Sequence, residues 1–350
     1  MIRALSAAVL LLVLTGQGGP ARVLVVGTDK AARGAVLAAA AAQAEPGDTV
    51  LIAPGRYAGP QSFRKSGTVR ARITIRPQVA GTVTFDGTGA PPDTDLVTLA
   101  GSYLDFEGFA VVNARRSGIA AWQTRHVRIA RNTVTGSRRA GIWVGATRPG
   151  LSAFNLVEDN TVSGNCLENA ARVWHSGWSR AIAIDLSDRS IVRHNMVRAN
   201  YGEGIGLLST SGGGVLGNVV ADSFSVGIYL DNAPRSEVTG NAVLTSGDAR
   251  FYRHGQPARG IVIANEPGPV RMPSTGIVVT GNLLLGVGDV GYDHWGTAGG
   301  LVASRIAPNE VRPTAEEGWL LRRIFSLTGI RLAEGALCGP VVRCAPRAQP

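Results

Sequence analysis

The stretch IAIDLSDRSIVRHNMVRANYGEG (182–204) runs without insertion into IGLLSTSGGGVLGNVVADSFSVG (205–227) and IYLDNAPRSEVTGN (228–241). Ile182, Ile205 and Ile228 recur at steps of 23 residues, as do Asn195, Asn218 and Asn241. A fixed period of this size means one structural unit stacked on itself. Each unit opens with Gly or Ala, then Ile, any residue, and Ile or Leu, followed by a polar turn. An apolar residue then stands three before the Asn and a Val two after it: Val192/Asn195/Val197, Val215/Asn218/Val220 and Val238/Asn241/Val243. Apolar residues at period two, broken by bends, describe short strands and not helices. Each unit is one coil of three such strands.

Asn is expected at the bend itself, because its short polar side chain tolerates the left-handed backbone region that costs other residues roughly 1–2 kcal/mol. Coils stacked at about 4.8 Å also let Asn amides hydrogen-bond along the stack as a ladder. The register extends outward through Ile119/Asn132/Val134, Ile142/Asn160/Val162 and Ile261/Asn282/Leu284, with extra residues between them. Gly108 takes the Asn position in an earlier coil. The fold class that follows is all-β: a right-handed parallel β-helix of about ten coils, each unit burying its apolar face only against its neighbours. Leucine-rich repeats are set aside because Leu is not at their spacing, and β-sandwiches because they have no fixed period.

A solenoid grows along its axis, so 350 residues fit one elongated domain. Residues 1–20 carry one early positive charge and a short apolar core, which reads as a secretory signal peptide. Val23 to Val26 is either a first strand or a continuation of that apolar core. Residues 21–307 are assigned to the β-helix and 308–350 to a C-terminal helix and tail. No other segment approaches a transmembrane span. Cys338 and Cys344 bracket five residues and can close a small loop in an oxidising compartment, leaving Cys166 over. The net charge of +10 rests on 33 Arg and two Lys, Lys30 and Lys65. It favours either an acidic partner or a genome-wide preference for Arg.

Asp29 to Gln43 is Ala-rich and predicts a helix, with Thr28 or Asp29 as its N-cap. EPGDTVLIAPGRY (45–57) follows it. A short helix, then Pro-Gly-Asp-Thr-Val, then Pro-Gly-x-Tyr, resembles the N-terminal entry of the pectin-lyase-like superfamily of β-helix proteins. That superfamily includes pectate, chondroitin and alginate lyases and mannuronan carbon-5 epimerases. The resemblance covers about residues 30–290 and implies that the helix caps the open end of the solenoid. The chain departs from the pattern in having no Asp-Pro-His-Asp, Gly-His-Gly or Asn-Thr-Asp stretch, and no Lys in its central coils. A lyase with a Lys base is therefore not expected.

Four insertions break the register: Ala146 to Phe154, Asn165 to Arg180, Gly247 to Arg259, and Asn265 to Thr275. All four are expected to wall one face of the same sheet. Thr314 to Thr328 predicts a helix with Thr314 as N-cap and Glu317 completing a capping box, closing the C-terminal end or beginning an unrelated tail. Residues from about Leu337 are expected to be loose.

If Ile182 and Ile184 face inward, Asp185 faces outward, and the same logic exposes Trp122, Trp143, Tyr229 and Asp231. Asp185 and Asp231 then stand two coils apart, about 9.6 Å at ~4.8 Å per coil. Arg116, Arg139, Arg180 and Arg259 form a basic rail beside them, with Glu203 between, suited to carboxylates along a polymer. One insertion adds His175 and Trp178, another adds Tyr252, Arg253 and His254, and both flank Asp185 and Tyr229. Proton abstraction beside a uronate carboxylate needs a base, a cation and an acid. Tyr229 or His175 would be base or acid and Arg180 the cation. Asp185 and Asp231 would orient them or bind calcium. Trp143, Arg139, Arg116, Glu203, Trp178, Arg259 and His254 would hold the chain.

The expected activity is elimination or carbon-5 epimerisation on an acidic, uronate-containing polysaccharide, by an exported protein in the periplasm or outside the cell. The alternatives are a β-helix that holds a polysaccharide without chemistry, and a glycoside hydrolase using Asp185 and Asp231. No nucleic-acid partner, no membrane span in the mature chain, and a monomer are expected.

Overall fold

The computed structural model describes residues 10–13, 21–27, 33–171, 178–268, 270, 272–293 and 301–344. Thr28, Asp29 and His175 lie outside them. Among the described residues the strands form three long sheets of twelve, ten and nine members. Apart from one antiparallel edge strand, neighbours in each sheet are one coil apart and parallel, with Ile182 opposite Ile205, Ile205 opposite Ile228, and Ile228 opposite Ile261. The chain is a parallel β-helix, as the 23-residue period requires. Val23 to Val26 belongs to its first strand, Arg22–Val26, which pairs on its outer edge with the antiparallel strand Leu10–Val13.

The interior is a column of identical positions. Ile119, Ile142, Ile182, Ile205, Ile228 and Ile261 are fully buried one above another. Near the N-terminal end the filling becomes aromatic, with Tyr57, Phe85, Phe106 and Phe109 in successive ring contacts. The helix Arg33–Gln43 buries Leu37, Ala40 and Ala41 in the same core as Leu24 and Val26 of the first strand.

The asparagine column forms the expected ladder. The Nδ2 of Asn132, Asn160, Asn195, Asn218, Asn241 and Asn282 each donates to Oδ1 of the next Asn, ending at Asn309, at 2.9–3.0 Å. The same Oδ1 atoms also accept the backbone N–H of the preceding Asn, as from Asn195 to Asn218 at 2.9 Å. The left-handed residue is not the Asn but its predecessor: Arg131, Asp159, His194, Gly217, Gly240 and Gly281 have φ between 54° and 70°. That division corrects the expectation, since the Asn is selected for its paired amide and the bend is made one residue earlier. Gly108, with φ 84°, is likewise the bend residue, and Phe109 occupies the ladder position, donating its N–H to Asn132. A second, two-rung ladder joins Asn165 to Asn200.

The C-terminal helix is Glu317–Thr328. Its N-cap is Glu316, without a side-chain cap, so Thr314 does not serve and no capping box forms. The Glu317 carboxylate is turned inward instead and accepts the backbone N–H of Gly335. The helix does not close the end of the solenoid. Leu320 and Ile324 pack across the outer face of the second sheet, on Val219, Ala221, Ala242, Leu244, Leu283 and Leu285. Residues 337–344 are not loose either. Leu337 and Val342 are buried in that cluster, and Cys338 and Cys344 form a disulfide. An apolar outer sheet face demands a cover, and this segment supplies it.

Candidate functional site

The outer face of the third sheet carries the candidate site. Strands Ile119–Trp122, Ile142–Gly145, Arg180–Asp185, Glu203–Leu208, Val226–Asp231 and Arg259–Ala264 lie side by side there. Simple alternation fails at their starts, because the residue before each aligned Ile also turns inward. Only a small residue fits there: a Cβ on Gly204 would lie 2.5 Å from Val220 Cγ1, and one on Gly227 2.3 Å from Val243 Cγ1. The residue before the small one is thereby thrown outward, which places Arg180 opposite Glu203 and Arg259 opposite Val226.

Three of the four insertions wall this face into a cleft of about 1380 Å³, through Glu168, Asn169, Trp178 and Ser179 of the first, Arg253 of the second, and Glu266 and Pro267 of the third. Arg253 stacks on Trp178 and donates to Ser225 Oγ, while Trp178 meets Phe224 edge-on. The insertion Ala146 to Phe154 does not line the cleft. Its Ser152–Ala153 pairs with Ser187–Asp188, which ties it to the turn leading to the first sheet.

At the centre, Trp143 Nε1 donates to Asp185 Oδ2 at 2.8 Å, and Arg180 Nη2 lies 3.0 and 3.1 Å from the two oxygens of the same carboxylate. Arg180 lies flat over Gly206, where an added Cβ would sit 2.1 Å from its Cδ. Trp143 likewise covers Gly145, opposite Trp122, and the two indoles are 4.1 Å apart. One coil earlier the arrangement repeats: Trp122 Nε1 and Arg116 both donate to Asp95, which the expectations had missed.

Beyond Arg180, the cleft holds three carboxyls with no ion-pair partner among the described residues. Asp231, only 3% exposed, accepts from Asn232 Nδ2 and from the backbone N–H of Glu266, each at 2.8 Å. Tyr229 donates to Glu266 Oε1 at 2.5 Å. Glu203 is 8% exposed and receives no hydrogen bond from any described group. Burial, opposed only partly by Arg180, pushes its pKa up to about 8. Burial and the charge of Glu266 raise Asp231 to about 6. Burial and the bond to Glu266 raise Tyr229 as well, so its phenol stays protonated near neutrality. Burial would lower Arg180, but the surrounding carboxylates outweigh it and the guanidinium stays charged.

Tyr229, Asp231, Asp185, Arg180, Trp143, Arg139, Arg116, Glu203, Trp178 and Arg259 therefore all border one cleft. His254 does not. The antiparallel bridge between Arg253 and Gln256 makes a tight turn that holds His254 exposed at its tip, with φ 53°. The basic rail is also less basic than expected, because Arg116 is paired with Asp95, Arg139 with Glu168, Arg180 with Asp185 and Arg259 with Asp293. Glu266, the acceptor for Tyr229, is a residue the repeat could not reveal, since it lies in an insertion. Among the described residues no three His, Cys, Asp or Glu ligand atoms converge in the cleft.

A parallel β-helix with a walled cleft on one sheet is the architecture of the pectin-lyase-like superfamily, and this chain has that fold. The chain belongs to the family described as "Periplasmic copper-binding protein (NosD)", whose model matches residues 102–291. No curated protein matches the sequence. Among solved structures, it resembles an alginate lyase from a Paenibacillus species at 16% identity and TM-score 0.53, over 79% of this chain and 97% of that one. Pectate lyase Pel9A aligns at 16% identity and TM-score 0.50, over 77% and 73%. A double mutant of the periplasmic alginate epimerase AlgG aligns at 13% identity and TM-score 0.54, over 76% and 61%. At these identities the likeness is one of fold.

The family description names copper, which prefers imidazole and sulfur donors. Among the described residues the one converging group of His, Cys, Asp or Glu side chains is Glu317, Cys338 and Cys344, and its two sulfurs are joined in the disulfide. His126 is stacked between Tyr103 and Phe154, Cys166 is buried alone, and His194 stands beside Asp159 at the surface. These residues do not fit a copper centre.

Proposed function

We propose that the cleft binds a uronate-containing polysaccharide and removes the proton at carbon 5 of one uronate, leading to β-elimination or epimerisation. The observation that carries this reading is the pair of carboxyls on either side of neutrality, Asp231 at about 6 and Glu203 at about 8, lining one cleft with the half-buried charge of Arg180. Environments that push two carboxyls apart assign base and acid roles. Asp231 takes the proton from carbon 5, and the negative charge passes onto the uronate carboxylate, where Arg180 stabilises it. In elimination the bond from carbon 4 to the leaving oxygen breaks, Glu203 gives its proton to that oxygen, and a double bond remains between carbons 4 and 5. In epimerisation Asp231 keeps the proton it has taken, and Glu203 gives its own proton to carbon 5 from the opposite face.

Support also comes from the named activities of the lyases and the epimerase that share the fold. The periplasmic description of the family and the apolar leader at 1–20 favour export. Incubation with alginate, pectate and glycosaminoglycans, followed by ultraviolet absorbance and by the epimer ratio, tests the reading. We expect a bell-shaped dependence of kcat/KM on pH, bounded near 6 and near 8. Reducing ends appearing without unsaturation would instead favour hydrolysis. The same two carboxyls could perform it, whereas Asp185 is tied to Trp143 and Arg180.

A further inference from the structure

The turns that carry the chain from the third sheet to the first form an edge along the coil axis, and one register runs through them. The backbone N–H of Tyr103 donates to Arg125 O, that of Phe154 to Asp188 O, and that of Arg189 to Ser211 O. Tyr103, His126, Phe154 and Arg189 stand at the bend with φ between 53° and 58°. Their flat groups stack on one another. The His126 ring centroid lies 4.7 Å from that of Tyr103 and 5.1 Å from that of Phe154, and the Arg189 guanidinium is 5.4 Å from the Phe154 centroid.

This edge is basic where its surroundings are neutralised. On the adjoining outer face of the first sheet, Arg72 is paired with Asp105, Arg128 with Glu107 and Arg193 with Glu158. Along the edge, Arg64, Lys65, Arg125, Arg148, Arg189 and Arg235 are exposed, and none meets a carboxylate among the described residues. Arg125 donates only to Gly150 O and Arg235 to Ser211 Oγ. The acids on the described turns are Asp188, which accepts the Ser211 N–H, and Glu266, which accepts from Tyr229 in the cleft. A compositional preference for Arg gives no reason for acids to be missing along one edge. Three exposed apolar side chains share these turns: Val69, Phe154 and Val302, at 76%, 38% and 65% exposure. Val69 stands in the first of them and Val302 eight coils on, so at ~4.8 Å per coil the edge is about 38 Å long.

We infer that this edge docks on the anionic phospholipid surface of a membrane. A flat anionic surface is the partner that a line of cations can meet along its whole length, with Val69, Phe154 and Val302 entering the headgroup layer. An acidic polysaccharide fits less well, because sugars stack on open aromatic faces and the ring faces here are spent on one another. None of the six basic residues lines the cleft, so docking leaves the cleft open whatever it binds.

The test is cosedimentation of the full chain with vesicles of phosphatidylethanolamine containing one-quarter phosphatidylglycerol, at about 0.1 M salt. Each basic side chain at such a surface contributes about fivefold in affinity, so Arg64→Gln, Lys65→Gln and Arg148→Gln together should weaken binding about 100-fold. Arg56→Gln, Arg131→Gln and Arg250→Gln together remove the same charge from paired positions off the edge and should leave binding within about twofold. Equal losses from the two triple variants would mean that net charge alone is read, and absence of binding by the unaltered chain would mean that the edge has another partner. Either result overturns the inference. So does a first triple variant that keeps vesicle binding but loses binding to a soluble polyuronate, which would make the edge part of a polymer track.

Discussion

Two columns of polar side chains climb the same coils and obey opposite rules. In the asparagine ladder each amide is satisfied by an identical amide one coil away, and the column is buried without loose ends. On the outer face of the third sheet the Trp, Arg and Asp set occurs twice, at Trp122, Arg116 and Asp95 and at Trp143, Arg180 and Asp185, and then stops: Glu203, Tyr229 and Asp231 follow, each held by a different partner or by none among the described residues. Periodic polar groups stabilise a solenoid because every coil supplies the next one's partner. Aperiodic polar groups that remain buried are kept for another reason, and shifted protonation is the physical trace of that.

The contrast can be broken most severely at Asp231. Asp231→Asn keeps the hydrogen-bonding shape and removes the base, so kcat should fall about 10²–10⁴-fold with the thermal midpoint unchanged or raised. A steady-state assay with a melting curve separates the two effects. Gly206→Ala acts one step removed. Its methyl occupies the space of Arg180 Cδ, so the guanidinium must move, and a drop of about 10²-fold in kcat is expected with little loss of fold. The ladder should respond the other way round. Asn218→Ala strips acceptors from the buried backbone and side-chain N–H groups of Asn195 and removes donors to Val192 O and Asn241 Oδ1. We expect about 2–3 kcal/mol of destabilisation in urea titration, with kcat of the folded fraction retained.

The smallest effect separates the columns by pH. A carboxyl whose folded pKa lies above its unfolded value makes the native state bind more protons, so stability falls as pH rises between the two values. For Glu203 that window runs from 4.5 to about 8. Glu203→Gln should flatten the decline in urea midpoint above pH 6. The decline due to Asp231 would remain, from 3.8 to about 6. An unchanged profile would mean that Glu203 is not held neutral by its surroundings.

How much was legible follows from the same division. The Ile and Asn steps in 182–241 are enough to specify the coil, the sheets and the ladder. The placement of the left-handed bend was not: Arg131, Asp159 and His194 bear no sign of it, and only Gly217, Gly240 and Gly281 hint that the residue before the Asn carries the strain. The C-terminal cover had a signal that alternation hides. Val219 to Ala221, Ala242 to Leu244 and Leu283 to Leu285 are apolar without interruption, as strands buried on both faces must be. In the site, strand parity located Trp143, Asp185, Tyr229 and Asp231, whose backbones are set by the repeat. Parity could not locate Glu266, His254 or the insertion Ala146 to Phe154, which leave the repeat and follow their own hydrogen bonds.

By itself, then, the sequence determined that this chain winds into parallel coils and which side chains each strand turns outward from its aligned Ile onward, because both depend on spacing along the backbone. The tertiary structure decided which outward groups meet, which arginines are already paired, and that Glu203 lies buried with no partner among the described residues. Those properties depend on distances across coils and between insertions, and on how far water is excluded, none of which a linear period encodes.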